Sequence, residues 1–325
     1  MAVHIFLINE ENYAISIRRG LAAIPSGTRP DTDDQIISRM SLVKEGDEIL
    51  FYLIGTKEIR GIFRAYGRPF YDDTPVWPSN NGQIYPYRIR IDNTDMVFGT
   101  PVLLSDIFDL RDNGKIWTFS LHRPSGNANS MFSISDAEFK EVRELFLKIN
   151  PIFGKPAPIS EPYRHVESNL LKRLHVDNQG NPKYESGLTA VFFNDLAYGR
   201  HKESLGQYSD YLAYVPTSFQ KEIDGLLFYS DFESPTKAIA YGLIELKRDI
   251  FDEKGLSQLL RYEDWFLKKR AGGDSRAIRT IAIAKRFDDR VIDYVRRRRH
   301  LEGKSVRLFQ YDCTTGQLEL NEYTY

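Results

Sequence analysis

A single cysteine, Cys313, stands in the 325 residues of the chain. That excludes a disulfide framework and a thiolate metal cage, and Cys313 reads as a packed free thiol in a reducing compartment. Long apolar runs are missing too. None approaches the roughly 20 residues that span a bilayer, and the N-terminus lacks the charged start and apolar core of a signal peptide. The expectation is a cytoplasmic protein with no membrane partner. An excess of one charge is also lacking, with 44 Lys and Arg against 45 Asp and Glu. No global pull on a polyanion exists, so any nucleic-acid affinity has to come from local patches. Internal repeats, a Walker A loop, zinc-ligand spacings and a nucleophile elbow are absent, and the six histidines are scattered.

What is present is enough apolar sequence, 42%, for two buried cores, and a length that suggests two domains. Aromatic residues make up 13%, which supplies stacking surfaces as well as core.

The most informative stretch is Tyr241-Gly-Leu-Ile-Glu-Leu-Lys247. Alternate strand residues share a face, so Leu243, Glu245 and Lys247 point one way and Ile244 and Leu246 the other. A charged pair inside a sheet is costly without partners or work to do. Upstream, Glu222 to Tyr229 is a second β-rich run, joined to the first by the turn-rich segment from Ser230 to Lys237. Folded as a hairpin, the two runs set Asp224 beside Glu245, with Lys247 one step along. Two carboxylates beside a lysine suit a hard divalent cation and phosphodiester hydrolysis.

Asp224 followed by Glu245-Leu-Lys247 resembles the catalytic signature of the PD-(D/E)XK nuclease superfamily. The run Ile244 to Arg248, with Gln258-Leu-Leu-Arg-Tyr262-Glu-Asp-Trp265 after it, resembles the nuclease domain of NucS/EndoMS-type endonucleases. The resemblance implies a C-terminal restriction-endonuclease-like αβββαβ domain over 164–325, using Mg2+ or Mn2+. Asp224 and Glu245 would ligate the metal with the Leu246 carbonyl as a third ligand, and Lys247 would orient and help deprotonate the nucleophile or stabilise the developing phosphorane charge. In the superfamily a preceding helix often adds an acid. Here a helix is expected over His165 to His175, and Glu167 on its apolar stripe would fill that role or stabilise the helix dipole. A helix from Gly255 to Arg270 places Gln258 and Tyr262 on one face, Gln258 to fix the attacking water or a phosphate and Tyr262 to support the lysine or DNA. Pro182 to Gln220 reads as an insertion.

The N-terminal half reads as short strands with few helices, a small β-barrel pattern. Strands are expected at 2–8, 46–54, 58–66 and 84–91, a short helix over Tyr13 to Ala23, and a loop over Ser26 to Asp34. Ile5-Phe-Leu-Ile8 leading to Asn12, Ile49-Leu-Phe-Tyr52 leading to Gly61, and Thr74-Pro-Val-Trp77 before Tyr85 to Arg90 resemble the EVE/YTH/PUA-like fold. Such domains cradle a modified nucleobase in an aromatic pocket. The resemblance gives Trp77 the place of a pocket tryptophan and Asn12 that of the asparagine that reads the base edge. Ala22 stands where a second tryptophan is expected. By composition alone, Trp77 among prolines is a ring exposed in a cleft or one closing the barrel end. Trp117 reads as core, and Arg88, Arg90, Arg111 and Arg123 as phosphate grips or a solvated face.

A capped helix over 136–149 ends the first domain, 1–150. A proline-rich linker follows at 151–163. Near the C-terminus a helix from Asp288 to His300 ends in Arg296-Arg-Arg-Arg-His300. These cations complement the helix dipole, and Arg296 and Arg297 could also track a DNA backbone.

The fold class expected is thus α/β and α+β. The function expected is a Mg2+-dependent DNA endonuclease with a base-reading N-terminal domain acting on modified DNA. The alternatives are a structure- or mismatch-specific repair nuclease of the NucS type and a non-catalytic nucleic-acid binding protein. One active site per chain is compatible with a homodimer for double-strand cleavage, and the sequence does not fix the oligomeric state.

Overall fold

The computed structural model describes residues 2–78, 83–119, 130–164, 168–219, 221–231, 238–313 and 317–325. The chain is a mixed α/β protein that divides into two compact units, Met1–Leu174 and His175–Tyr325.

In the first unit the elements are β1 (Val3–Ile8), α1 (Glu10–Arg19), β2 (Leu21–Ile24), α2 (Pro30–Met40), β3 (Glu48–Leu53), β4 (Glu58–Tyr71), β5 (Tyr87–Asn93), β6 (Val102–Leu103), α3 (Leu104–Asp112), β7 (Met131–Ile134) and α4 (Asp136–Ile149). The ladder runs β2-β5-β4-β3-β1-β7, with β6 on β4. Only β1 and β3 pair in parallel. Among the described residues the hydrogen-bonded ladder has β2 and β7 at its ends, and β2 also lies against β1. Val3 and Ile5 of β1, Leu50 and Tyr52 of β3 and Ile59 of β4 face Ile107, Phe139, Val142 and Phe146 of α3 and α4 across the core. Alternation on the strands and i, i+3, i+4 spacing on α4 bring them there.

Local chemistry sets the boundaries. Asn9 caps α1 by accepting from the Asn12 N–H, and Gly20 ends it in the left-handed conformation, φ 65°. A helix expected to reach Ala23 therefore stops, and Leu21–Ile24 pairs with β5 instead. The loop expected over 26–34 gives way at Pro30 to α2, which has proline and acids in its first turn, as helix starts favour. Ser135 and Glu138 form the capping box that starts α4. Trp117 is half-buried outside any regular element rather than in the core.

The stretch read as a linker, 151–163, lies against the first unit. The N–H groups of Glu161 and Tyr163 donate to the carbonyls of Arg18 and Arg19. A Cβ at Gly20 would fall 2.6 Å from Ile159 Cδ1, so glycine both ends the helix and admits this segment. The helix expected over 165–175 is, within the described residues, a single 3-10 turn at Leu170–Arg173.

The second unit contains α5 (Glu185–Ala197), α6 (Lys202–Leu205), β8 (Asp210–Pro216), β9 (Glu222–Ser230), β10 (Ala238–Phe251), α7 (Glu253–Lys269), β11 (Ile278–Phe287), α8 (Asp289–Glu302), β12 (Val306–Asp312) and β13 (Glu319–Glu322). Its sheet runs β13-β12-β11-β10-β9-β8, with β10, β11 and β12 parallel and the other pairs antiparallel. Helices α5 and α7 pack on β10. Leu243, Ile244 and Leu246 of β10 and Ile281 to Ala284 of β11 are all fully buried, as central parallel strands covered on both faces should be. The presumed insertion at 182–220 is integral to this unit, because it holds α5 and β8, and β8 pairs with β9. Inside β8, Tyr214 takes φ 53° between the pairs Ala213↔Gly225 and Val215↔Ile223. No helix among the described residues is long and apolar enough to cross a membrane.

Candidate active site

Strand pairing assembles the site. The β9–β10 register includes Ile244↔Gly225, and one antiparallel step further sets Asp224 beside Glu245. The Leu246 N–H donates to Asp224 Oδ2 at 2.8 Å, which fixes that carboxylate against β10. Glu245 is fully buried in a strand that is otherwise apolar at its centre. Its Oε1 accepts from Gln258 Nε2 at 2.9 Å and lies 3.0 Å from Lys247 Nζ. Its Oε2 is buried with no hydrogen-bond partner.

Gln258 Nε2 also donates to the Tyr262 hydroxyl at 2.8 Å, and that hydroxyl donates to the Glu222 carbonyl at 2.5 Å. Tyr262 is fully buried. Its hydroxyl therefore holds Gln258 in place. The i, i+4 spacing of Gln258 and Tyr262 on α7 aligns them toward β9 and β10.

Glu167 lies outside the described residues. The acid that reaches the lysine is Glu185, at the first position of α5, whose Oε1 accepts from Lys247 Nζ at 2.9 Å. Sequence reasoning missed this residue. The available signal was an acid two residues before the buried run from Gly187 to Phe193, a position that a helix first turn favours.

Electrostatics leaves the centre short of positive charge. Burial pushes the Asp224 carboxyl up, and the Lys247 charge and the Leu246 N–H only partly offset this. Glu245 is pushed up by burial and then by the Asp224 charge. Burial pulls Lys247 down, but Asp224, Glu245 and Glu185 together outweigh it and hold the amine above its ordinary range.

Among the described residues no three His, Cys, Asp or Glu side chains converge as a metal cage. The site instead offers two carboxylates on neighbouring strands and a buried oxygen, Glu245 Oε2, without a partner. This oxygen-only set fits a hard cation such as Mg2+, which is held by one or two carboxylates and keeps several waters.

The remaining sequence candidates are placed as follows. Arg296 and Arg297 of α8 are exposed, and both lean on Asp293, through its carboxylate at 3.4 Å and its carbonyl at 3.3 Å. Arg298 of the same run is buried, with Nη1 donating to Glu263 at 3.0 Å, so the basic run is not one continuous face.

In the first unit Asn12 and Trp77 do meet. Trp77 Nε1 donates to the Asn12 carbonyl at 3.3 Å and to Ser16 Oγ at 3.2 Å. Asn12 Nδ2 donates to the Tyr85 hydroxyl at 3.1 Å. The tryptophan ring, however, is packed rather than open. Only 6% of it is exposed, with Leu21 and Phe70 against it, Tyr85 at 5.6 Å and the Arg88 guanidinium 5.4 Å from its centroid. Arg88 itself is buried. It donates to the carbonyls of Tyr85 and Thr74 and to the Tyr163 hydroxyl, and it lies 3.7 Å from Asp72, so it is no phosphate grip. Of the other arginines, Arg90 packs on Tyr66, Arg111 pairs with Asp112, and Arg123 lies outside the described residues.

Comparison with known proteins adds to the first unit. Residues 34–145, from α2 into α4, match the EVE domain family. Among solved structures, a hypothetical protein from Leishmania major is 13% identical, with 46% of this chain covering 97% of it at a TM-score of 0.34. A protein from Pseudomonas syringae is 17% identical, with 45% of this chain covering 100% of it at 0.32. The YTH domain of Mmi1, solved with RNA, is 14% identical, with 46% of this chain covering 84% of it at 0.31. Comparison with curated protein sequences finds no match.

Proposed function

We propose that the chain is a Mg2+- or Mn2+-dependent DNA endonuclease whose second unit cuts and whose EVE-like first unit engages the nucleic acid. The observation that carries this reading is the unpartnered, fully buried Glu245 Oε2 beside Asp224 and the Lys247 ammonium. An acid pair so placed weakens the fold unless it holds something. The order α5-α6-β8-β9-β10-α7-β11 supports it further, since apart from the four-residue α6 it follows the αβββαβ order of the PD-(D/E)XK resemblance. The EVE match supports a nucleic-acid partner for the first unit, with a modified base as the feature it reads.

In this reading Asp224, Glu245 and the Leu246 carbonyl would hold the cation, which would supply Lewis-acid activation of the attacking water and of the phosphate. Lys247 places its ammonium where the phosphate oxygen gains negative charge, and Glu185 fixes the direction of that ammonium. Gln258 keeps Glu245 in register with β9, and Tyr262 keeps Gln258 there.

The test is a nicking assay with Mg2+ or Mn2+ on plasmid DNA carrying modified bases, on plain DNA and on a mismatched duplex. Cleavage by the wild type and none by Asp224→Ala is expected, strongest on modified DNA. A preference for the mismatched duplex would point to repair, and a wild type inert on all three with both metals would remove the nuclease reading.

A further inference from the structure

Helix α7 carries more than Gln258. Three residues along, Arg261 is exposed, and its guanidinium sits 4.2 Å from the centroid of the Phe219 ring. Phe219 belongs to the β8–β9 connection and is fixed there. Its ring stacks on Tyr262 at 5.8 Å and 23° and meets Trp265 edge-on at 6.5 Å. Trp265 Nε1 in turn donates to Ser218 Oγ at 2.8 Å. The connection is thus pinned to the same helix, and through the same tyrosine, that positions Gln258 against Glu245.

Among the described residues no carboxylate pairs with Arg261. The contrast with its surroundings matters. Lys247 is already engaged by Glu245 and Glu185, so a phosphodiester arriving there gains from a second protein cation that is not committed to a carboxylate. A guanidinium seated on an aromatic face loses little freedom when it binds, and its planar donors match two phosphate oxygens. Tyr262 and Arg261 already cover the Phe219 ring, which leaves it as a seat for the cation rather than a platform for a base.

We infer that Arg261, seated on Phe219, anchors a backbone phosphate of the substrate strand next to the scissile one. It is a positioning residue, and the inference rests on the nuclease reading above. The test measures kcat and KM of the full chain on duplex DNA over a range of KCl. Arg261→Ala should raise KM about tenfold, the weight of one charge-assisted hydrogen bond, with kcat within about twofold. The slope of log(kcat/KM) against log[KCl] should flatten by about one, the mark of one lost phosphate contact. Phe219→Ala should shift KM the same way by less, because the charge survives without its seat, and Arg261→Lys should fall between. Wild-type KM and salt slope in Arg261→Ala would overturn the inference. So would a fall in kcat at unchanged KM, which would mean that Arg261 acts through Tyr262 and Gln258. Asp224→Ala, run alongside, separates the two ideas: if it is inactive while Arg261→Ala behaves as wild type, only the phosphate anchor fails. If the wild type does not cut, both fail.

Discussion

Each unit buries a charged side chain beside an aromatic ring, and the two sites are finished differently. In the first, Arg88 spends its donors on the carbonyls of Tyr85 and Thr74 and on the Tyr163 hydroxyl, with Asp72 alongside, and Trp77 spends its N–H on Asn12 and Ser16. In the second, Glu245 is as deeply buried, yet one of its oxygens is paired with nothing and two further acids compete for one lysine. A buried polar network that closes on itself holds a fold together, whereas one left open is costly and persists where a ligand completes it.

The largest effects should fall on the open site. Asp224→Ala or Lys247→Ala should lower cleavage by at least about a thousandfold, on the scale of lost transition-state electrostatics, while DNA binding stays near wild type in a filter or anisotropy assay. Cutting at the wild-type rate by either would end the assignment. Next in size, breaking the closed site should cost stability and not rate. Trp77→Ala should destabilise by about 3–5 kcal/mol in urea denaturation. If it instead unfolds like the wild type but loses preference for modified DNA, the Trp77 cluster is a recognition pocket and the contrast between the units disappears.

A smaller effect sharpens the comparison through pH. Folding raises the Asp224 and Glu245 carboxyls above their ordinary 3.8 and 4.5. Groups raised in this way stabilise the fold when protonated. Their contribution is present below the ordinary values and is lost as pH climbs through the raised ones. Metal-free protein should therefore lose Tm from about pH 4 upward, and Glu245→Gln should flatten that loss. Added Mg2+ should restore Tm at the high end in the wild type and not in Asp224→Ala, because a ligand that binds only the folded state stabilises it. Smallest, Gln258→Ala should slow cleavage about tenfold by freeing Glu245 Oε1 from its one neutral donor.

The acid pair was legible because strand alternation is a rigid rule: a hairpin with Asp224 near Glu245 leaves few registers, and β9 and β10 adopt the one expected. The helix bearing Glu185 was not. Every residue from Gly187 to Phe193 is buried, so α5 has no polar face and therefore no periodicity to read. Trp77 was legible only in part. Its proline neighbours left the ring either exposed in a cleft or closing the barrel end, and the ring is enclosed by Arg88, itself held by Tyr163, far along the chain from the tryptophan. Contacts across such distances leave no trace in local pattern. The EVE-like half was legible through its strands β1, β3, β4 and β5, and α2 was missed although Pro30 and its acids mark a helix start.

The left-handed Tyr214 has a bearing on how the protein behaves in a crowded solution. Among the described residues strand β8 is one of the two outer strands of its sheet, and the edge of a sheet is where another polypeptide can add as a further strand. A reversed turn of backbone at Tyr214, followed by Pro216 with no amide hydrogen, interrupts that edge within three residues. The sheet thus carries its own stop against strand-by-strand growth on that side, and a fibril seeded there would first have to straighten the strand.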